Sequence, residues 1–223
     1  KNVKKVETEL EKVKSYLNKG EKVAISLAPT CFGVFDVSAQ KICGALKKLG
    51  CFYVEETAVG ALAVTNAYQK IQEEMEETCC ITSCCASVNL LIEKHFPKLI
   101  PLLIPVLTPL MVHARLLKQK YGHETKVVFI GPCLAKKIEG EEDEFIDAVL
   151  TIEELIQWIS EEHLDFDQVE SMNLDATEQS QRTYPIVGGM SSCFTKRKKN
   201  IEIVPVDGIE DCIKVLEGIE RRE

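Results

Sequence analysis

Short apolar runs alternate with longer helical patterns along this chain, and that alternation restricts its fold more than any other feature. Strands are predicted at 22–27, 52–54, 79–81, 126–130, 148–150 and 201–206. Helices are predicted at 1–19, 37–49, 57–77, 87–95, 109–121, 151–162, 188–196 and 208–221. Strands that take turns with helices form parallel sheets covered by those helices. The predicted fold class is therefore α/β, with mainly parallel sheet flanked by helices.

The composition supports a folded core and argues against two classes of partner. Hydrophobic residues make up 45% of the 223 residues, which is enough to bury a core. The net charge of −8 argues against nucleic acid, which needs a basic face. The most apolar stretch, 99–112, is broken by three prolines and is too short for a bilayer, which takes about 20 apolar residues. We therefore expect neither a nucleic-acid nor a membrane partner.

The ten cysteines of the chain follow an N-terminus that is charged and has no apolar signal-peptide core. This context predicts a cytoplasmic protein whose cysteines are reduced thiols or metal ligands. Three predicted strands lead into Ala28-Pro29, Thr82-Ser83-Cys84-Cys85 and Gly131-Pro132-Cys133. Ligands of open α/β sheets lie beyond the carboxyl ends of the strands. The long spacing and the lack of C-x₂-C pairs favour an iron–sulfur cluster held between elements over a zinc finger.

Two of these segments resemble motifs of the [FeFe]-hydrogenases. TSCCASV at 82–88 resembles T-S-C-C-P-x-W, and GPCLAKKIE at 131–139 resembles M-P-C-x-A-K-K-x-E. Ala28-Pro29 is similar to an A-P segment of that family, and PIVGGMSS at 185–192 is similar to a G-G-V segment. The helix predicted near 206–220 resembles the one that precedes the family's third motif. These segments follow the order of the family over nearly the whole chain. The chain therefore resembles the H-cluster domain, which is the C-terminal domain of the iron-only hydrogenase large subunit. Within that family it resembles the sensory-type members.

The resemblance implies a role for each matching residue. Cys85 and Cys133 match two cysteines that hold the [4Fe-4S] part of the H-cluster, and Cys84 matches a thiol that passes protons. Lys136 matches a lysine that hydrogen-bonds a cyanide ligand of iron. The cofactor-binding positions implied are Ala28, Pro29, Thr82, Ser83, Gly131 and Pro132.

The resemblance also implies a cofactor, an architecture and a set of partners. The cofactor is the H-cluster, a [4Fe-4S] cluster joined to a di-iron subcluster with CO, CN and a dithiolate bridge. We expect an N-terminal linker helix at 1–21 and two α/β lobes at 22–125 and 126–223, with the cofactor in the cleft between the lobes. The implied activity is the reversible oxidation of H₂ in a cytoplasmic, anaerobic setting. The implied partners are H₂ and protons, an iron–sulfur domain or ferredoxin, and maturation proteins.

Several positions depart from the family pattern. The third motif, C-x-x-G-G-C, is not in the sequence and is expected just beyond Glu223, so we expect the second lobe to end before it and two of the four cluster ligands to be missing from this chain. The motif methionine is replaced by Gly131, and the motif proline and tryptophan by Ala86 and Val88. Cys193 and Cys212 match no family ligand, and we interpret both, like Cys43 and Cys51, as ordinary reduced residues.

The helix around 61–70 carries no glutamates, whereas active family members use glutamates there to relay protons. Asn66 cannot titrate, so the relay is interrupted and the favoured interpretation is a sensory or slow hydrogenase. The alternatives are a catalytic, ferredoxin-linked hydrogenase fragment, an iron–sulfur assembly protein without a di-iron site, and an apo interaction domain. Retention of Cys84 and Lys136, which serve the di-iron site, argues against the assembly protein.

Overall fold

Four parallel strands form the sheet of the computed structural model, which describes residues 7–74, 79–172, 179–195 and 201–221. The strands are β1 (Val23–Leu27), β2 (Tyr53–Glu56), β3 (Lys126–Gly131) and β4 (Ala148–Thr151), in the order β2-β1-β3-β4. All three neighbouring pairs are parallel. Every residue of β1 is buried, as expected for a central strand covered on both faces. The α/β class with a parallel sheet flanked by helices is confirmed.

The described helices mostly match the amphipathic patterns of the sequence. They are α1 (Leu10–Asn18), α2 (Ala39–Lys48), α3 (Ala58–Glu74), α4 (Ala86–His95), α5 (Pro109–Tyr121), α6 (Ala135–Glu142), α7 (Ile152–Glu161), α8 (Gly189–Ser192) and α9 (Ile209–Glu220). The start of α7 is fixed by a capping box, in which Thr151 accepts from the Glu154 backbone and the Glu154 carboxylate accepts from the Thr151 backbone. None of the described helices is both long and apolar enough to cross a membrane.

The chain divides into two units, and each is built from two separate stretches of sequence. The first unit contains residues 1–57 and 113–176, and the second contains 58–112 and 177–223. These units are not the consecutive lobes 22–125 and 126–223 expected from the sequence. The reason is that β3 pairs with β1 over five residues, which binds the segment after residue 126 into the sheet of the first unit.

The second unit has a helical core in its described residues. Ile92 of α4 and Phe96, the residue after that helix, pack with Leu99 and with Leu216 of α9. Between α4 and α5 the chain makes a 3-10 turn at Pro97–Leu102, in the proline-rich stretch that the sequence predicts to be irregular.

Two predicted strands of the second unit are wrong. The segment 79–81 makes only one parallel bridge, between Ile81 and Leu103, and 201–206 has no strand residue. Pro101 and Pro105 flank the bridge, and Pro205 lies in the second segment. A proline has no backbone N–H to donate, so these segments cannot extend a ladder.

The acidic run 139–144 begins inside a helix. Its first four residues belong to α6, and Glu139 is buried. A buried carboxylate of this kind is tolerated because Lys136, one turn earlier, pairs with it. The basic run 196–199 lies outside the described residues.

Candidate functional site

The first cysteine motif, in the second unit, is held in place by the backbone N–H and the side chain of Ser83. The Ser83 N–H donates to the Tyr68 hydroxyl at 2.8 Å. Its Oγ lies 2.7 Å from the carbonyl oxygen of Ile104 and 2.5 Å from that of Val106. Ser83 therefore ties the motif to α3 and to the proline-rich stretch, and its polar atoms are used in structure.

Cys84 is partly exposed and its Sγ lies 3.5 Å from the Sδ of Met190, the second residue of α8. The TSCC motif and the PIVGGMSS segment, which resemble separate parts of the family, thus meet inside one unit. Burial raises the pKa of Tyr68, and a Cys84 thiolate would raise it further. Burial also raises the pKa of Tyr184, and a Cys84 thiolate would raise it further. Cys84 is therefore close enough to both hydroxyl groups for its charge to affect their pKa values.

Cys85 is exposed and occupies the N-cap position of α4. Its carbonyl accepts from the Asn89 N–H at 3.0 Å, while the Asn89 Nδ2 donates to the Ser83 carbonyl at 2.9 Å. The side chain makes no capping hydrogen bond. The Cys85 thiol is therefore accessible at the start of α4.

Cys212 of α9 is close enough to Cys85 to be affected by its charge. Its pKa is raised mainly by burial and secondly by the Cys85 thiolate. The packing of α9 on α4, through Leu216 and Ile92, brings the start of α9 to this end of α4. Sequence spacing could not reveal this proximity, because 127 residues separate positions 85 and 212.

In the first unit, Ala28-Pro29 and Gly131-Pro132-Cys133 run side by side at the carboxyl ends of β1 and β3. The Ala28 N–H donates to the Ile130 carbonyl at 2.9 Å. A Cβ atom at Gly131 would lie 2.6 Å from the Phe129 ring and 3.0 Å from the Cβ of Ala28. Gly131 therefore replaces the motif methionine because the Phe129 ring fills the space that a side chain would need.

The second motif places a buried ion pair beside Cys133. The Lys136 N–H donates to the Cys133 carbonyl at 3.1 Å, and the Lys136 Nζ lies 2.5 Å from Glu139 Oε2. The two charged side chains are only 13% and 7% exposed. Lys136 is therefore held in one position by its partner, unlike a lysine on a solvated helix face.

The turn after β1 contains a polar atom with no partner. Thr30 Oγ1 is buried and, in the described part of the chain, has no hydrogen-bond partner. Its neighbour Cys31 is fully buried, and burial raises the pKa of that thiol to about 12. Burial likewise raises the pKa of Cys43 and of Cys51 to about 12, so these three cysteines stay protonated. They are not ligand candidates, and their burial agrees with the interpretation of Cys43 and Cys51 as ordinary reduced residues.

The family described as "Iron only hydrogenase large subunit, C-terminal domain" matches residues 21–223. The chain therefore belongs to the iron-only hydrogenase large-subunit family. No curated protein matches it by sequence.

The fold is similar to solved structures of [FeFe]-hydrogenases. A variant of HydA1 from Chlamydomonas reinhardtii has a TM-score of 0.66 and 22% identity, over 76% of this chain and 51% of that chain. Another HydA1 variant from Chlamydomonas reinhardtii has a TM-score of 0.64 and 21% identity, with the same coverage of 76% and 51%. HydA(deltaEFG), from a structure on stepwise H-cluster assembly, has a TM-score of 0.63 and 21% identity, again over 76% and 51%. The chain spans about half the length of these solved chains.

Proposed function

We propose that this chain is part of an H-cluster-binding domain and serves a sensory or slow [FeFe]-hydrogenase that interconverts H₂ with protons and electrons. The observation that carries the proposal is the sorting of its cysteines. Cys85 and Cys133, the two motif positions, lie at the start of a helix and just after a strand with accessible thiols. Cys31, Cys43 and Cys51 are buried instead.

The donor set of the chain fits part of the H-cluster. A [4Fe-4S] cluster takes four thiolates, and Cys85 and Cys133 are soft donors of that kind. Among the described residues, no three His, Cys, Asp or Glu side chains converge as metal ligands. Cys85 and Cys133 would therefore hold one part of the cluster, with the other ligands supplied from outside the described residues. When bound, the cluster with its di-iron part supplies the redox chemistry of H₂.

The other matching residues would hold and orient the cofactor. Lys136 is fixed by Glu139, so its ammonium group can donate to an anionic ligand without losing side-chain freedom on binding. Thr30 Oγ1 is buried and unpaired in the described residues, which suits a donor awaiting a polar group. Backbone at Ala28, Pro29, Thr82, Gly131 and Pro132 would line the same cofactor. Cys84 would take up or release the proton.

Slow turnover is supported by the side chains that α3 buries. The acidic residues of α3 are Glu73 and Glu74 at its C-terminal end. Its buried polar positions nearer the middle include Thr65 and Tyr68, and burial holds the pKa of Tyr68 above its usual value. A hydroxyl of this kind does not release its proton near neutral pH, so it is a poor relay in place of a carboxylate.

The partners that follow from this proposal are H₂ and protons, an iron–sulfur domain or ferredoxin that carries electrons, and the proteins that build the di-iron subcluster. A ferredoxin-linked enzyme with fast turnover is the alternative. H₂ evolution at a high rate, measured with reduced methyl viologen, would support that alternative and contradict the slow-turnover proposal.

The proposal is tested by anaerobic reconstitution of the native full-length protein with iron and sulfide, followed by a synthetic di-iron complex. We expect infrared bands of bound CO and CN, and their loss in Cys133→Ala. Cys85→Ala should lower the iron content in the same way, whereas the matched variant Cys43→Ala, which removes a buried thiol, should retain the iron. Iron binding that is equal in all three variants would contradict the ligand assignment.

A further inference from the structure

A chain of buried hydrogen bonds crosses the first unit, and no motif in the sequence predicts it. Ser26 of β1 and His113 of α5 are both 0% exposed. The His113 Nδ1 lies 2.8 Å from Ser26 Oγ, and its Nε2 lies 2.8 Å from Glu55 Oε2 on β2. At the other end, Ser26 Oγ lies 2.8 Å from Thr57 Oγ1. Four side chains are thus linked without a gap.

The outer end of this chain reaches the solvent. The second carboxylate oxygen of Glu55, Oε1, accepts from the Tyr53 hydroxyl at 2.8 Å. Lys120 lies 3.2 Å from the Tyr53 hydroxyl and 3.5 Å from Glu55 Oε1, and its side chain is 50% exposed. A proton on Glu55 therefore has a short route to water.

The hydrogen bonds all point the same way when Glu55 is ionised. Burial acts to raise the pKa of Glu55, but the hydrogen bonds from His113 and Tyr53 and the nearby positive charges outweigh it, so the pKa is lowered. An ionised carboxylate only accepts, which places a proton on the His113 Nε2. In the neutral ring, Nδ1 then accepts from Ser26, whose oxygen accepts from Thr57.

Burial decides what this arrangement can do. Ser, His and Glu in this order have the connectivity of a nucleophile, a base and an orienting acid. Since Ser26 and His113 are fully buried, no substrate reaches the Ser26 oxygen. Ser26 lies two residues before Ala28 and therefore on the same face of β1, one layer below the turn that carries Pro29.

We propose that Thr57, Ser26, His113 and Glu55 conduct protons through the core of the first unit, between Thr57, just after β2, and the solvent at Glu55. The inference rests on the proposed function, because hydrogen chemistry is what would supply or consume those protons. A proton that arrives at Thr57 Oγ1 displaces the hydroxyl proton to Ser26, and Ser26 passes its own proton to the His113 Nδ1. The Nε2 proton moves to Glu55, which releases it to water. Each group then holds as many protons as before, but the His113 proton is now on Nδ1, so the ring and the two hydroxyls must reorient before a second proton passes.

The first test is made on the protein without any cofactor, so that it does not depend on cluster binding. The protein is labelled with ¹⁵N-histidine, and the exchange of the His113 Nε2–H with solvent is followed by NMR. If the chain conducts, exchange should be at least about tenfold faster than that of the Ile25 amide, which is equally buried, and Glu55→Gln should slow it by a similar factor.

A matched control is Thr125→Val, which removes a buried hydroxyl that donates to the Tyr121 carbonyl. It should leave His113 exchange unchanged. Tyr53→Phe removes one donor to Glu55 at a less buried position and provides a second variant should Glu55→Gln fold poorly; it should alter the exchange rate. Two results would overturn the proposal. One is exchange of the His113 Nε2–H as slow as that of the Ile25 amide, and the other is an equal exchange rate in the wild type, Glu55→Gln and Tyr53→Phe.

The second test uses the protein loaded with cofactor. Thr57→Val, which removes the Thr57 hydroxyl from the chain, should lower H₂ evolution by about tenfold while the infrared bands of the cluster remain. Unchanged evolution with intact bands would refute the use of this path. Missing bands in the wild-type protein would contradict the proposed function instead, and the exchange experiment would still decide whether the chain conducts.

Discussion

The two units hold their motif residues in different ways. In the first unit, Ala28 and Cys133 follow strands whose backbone is paired on both sides, so the sheet itself positions them. In the second unit, Cys84 and Cys85 lie on a loop positioned by the Ser83 side chain and by the start of α4. The difference teaches that strand ends are placed by backbone pairing, which any apolar sequence can satisfy, whereas the loop depends on one particular side chain.

The largest effect is expected from Glu154→Gln in the first unit. Glu154 accepts from the Thr151 backbone and pairs with Lys137, whose side chain is nearly buried. Removing the charge leaves Lys137 without its partner, which should lower the free energy of unfolding by about 3 kcal/mol at pH 7. Urea unfolding measures the loss, and Glu153→Gln, at an exposed position of the same turn, should be close to neutral.

The same pair predicts the pH dependence of the first unit. Burial acts to raise the pKa of Glu154, but hydrogen bonds from Thr8, Thr151 and Lys137 lower it below the ordinary value of 4.5. A lowered pKa adds stability at pH values above the unfolded pKa, and that stability is lost as the pH falls through the folded pKa. The difference between wild type and Glu154→Gln should therefore shrink below about pH 4. A difference that stays constant down to pH 3 would show that the charge is not responsible.

The next largest effect should come from Ser83→Ala in the second unit. The substitution leaves the Ile104 and Val106 carbonyls without the Ser83 hydroxyl, which should cost about 2 kcal/mol. If the loop depends on this side chain, alkylation of Cys84 should also become faster in the folded protein. Ser160→Ala, at an exposed helix position, is the control. Alkylation unchanged by Ser83→Ala would show that the loop and the sheet edge are equally robust.

Gly131→Ala should have a smaller effect, about 1.5 kcal/mol, because the new methyl group would meet the Phe129 ring. The loss should be reduced when Phe129→Ala is present, and a double-mutant cycle measures the coupling. Additive effects of the two substitutions would contradict the explanation for the missing motif methionine.

Cys85→Ser should change stability least, by no more than about 0.5 kcal/mol, because the side chain is exposed. Thermal unfolding of the cofactor-free protein measures this. A loss above about 1 kcal/mol is typical of a buried polar contact. Such a loss would indicate a structural role for the Cys85 thiol and would weaken its assignment as a ligand.

Much of the first unit could be predicted because its elements are coded locally. The strand at 126–130 was predicted to within one residue of β3, since four apolar residues in a row, 127–130, suit a strand buried on both faces. The capping box of α7 is likewise written in Thr151 and Glu154. In the second unit, α4 and α9 were predicted from their periodicity, but the two short strands were not realised where prolines lie in or opposite them.

The candidate site was only partly predictable. Both cysteine motifs are contiguous in sequence, so Cys85, Cys133 and Lys136 could be named from their neighbours. The proximity of Cys212 to Cys85 depends on how α9 packs on α4. The Ser26–His113–Glu55 chain needs β1 beside β2 and α5 over both, and its members are too far apart in sequence for any spacing rule to connect them.

By itself, the sequence determined the α/β class, the positions of most strands and helices, and the family, because each depends on short runs of residues. Only the tertiary structure decided which segments share a unit, which cysteines are buried and protonated, and which polar side chains meet inside the sheet unit. Those properties arise from contacts between distant segments, and their energies depend on burial, which no local pattern contains.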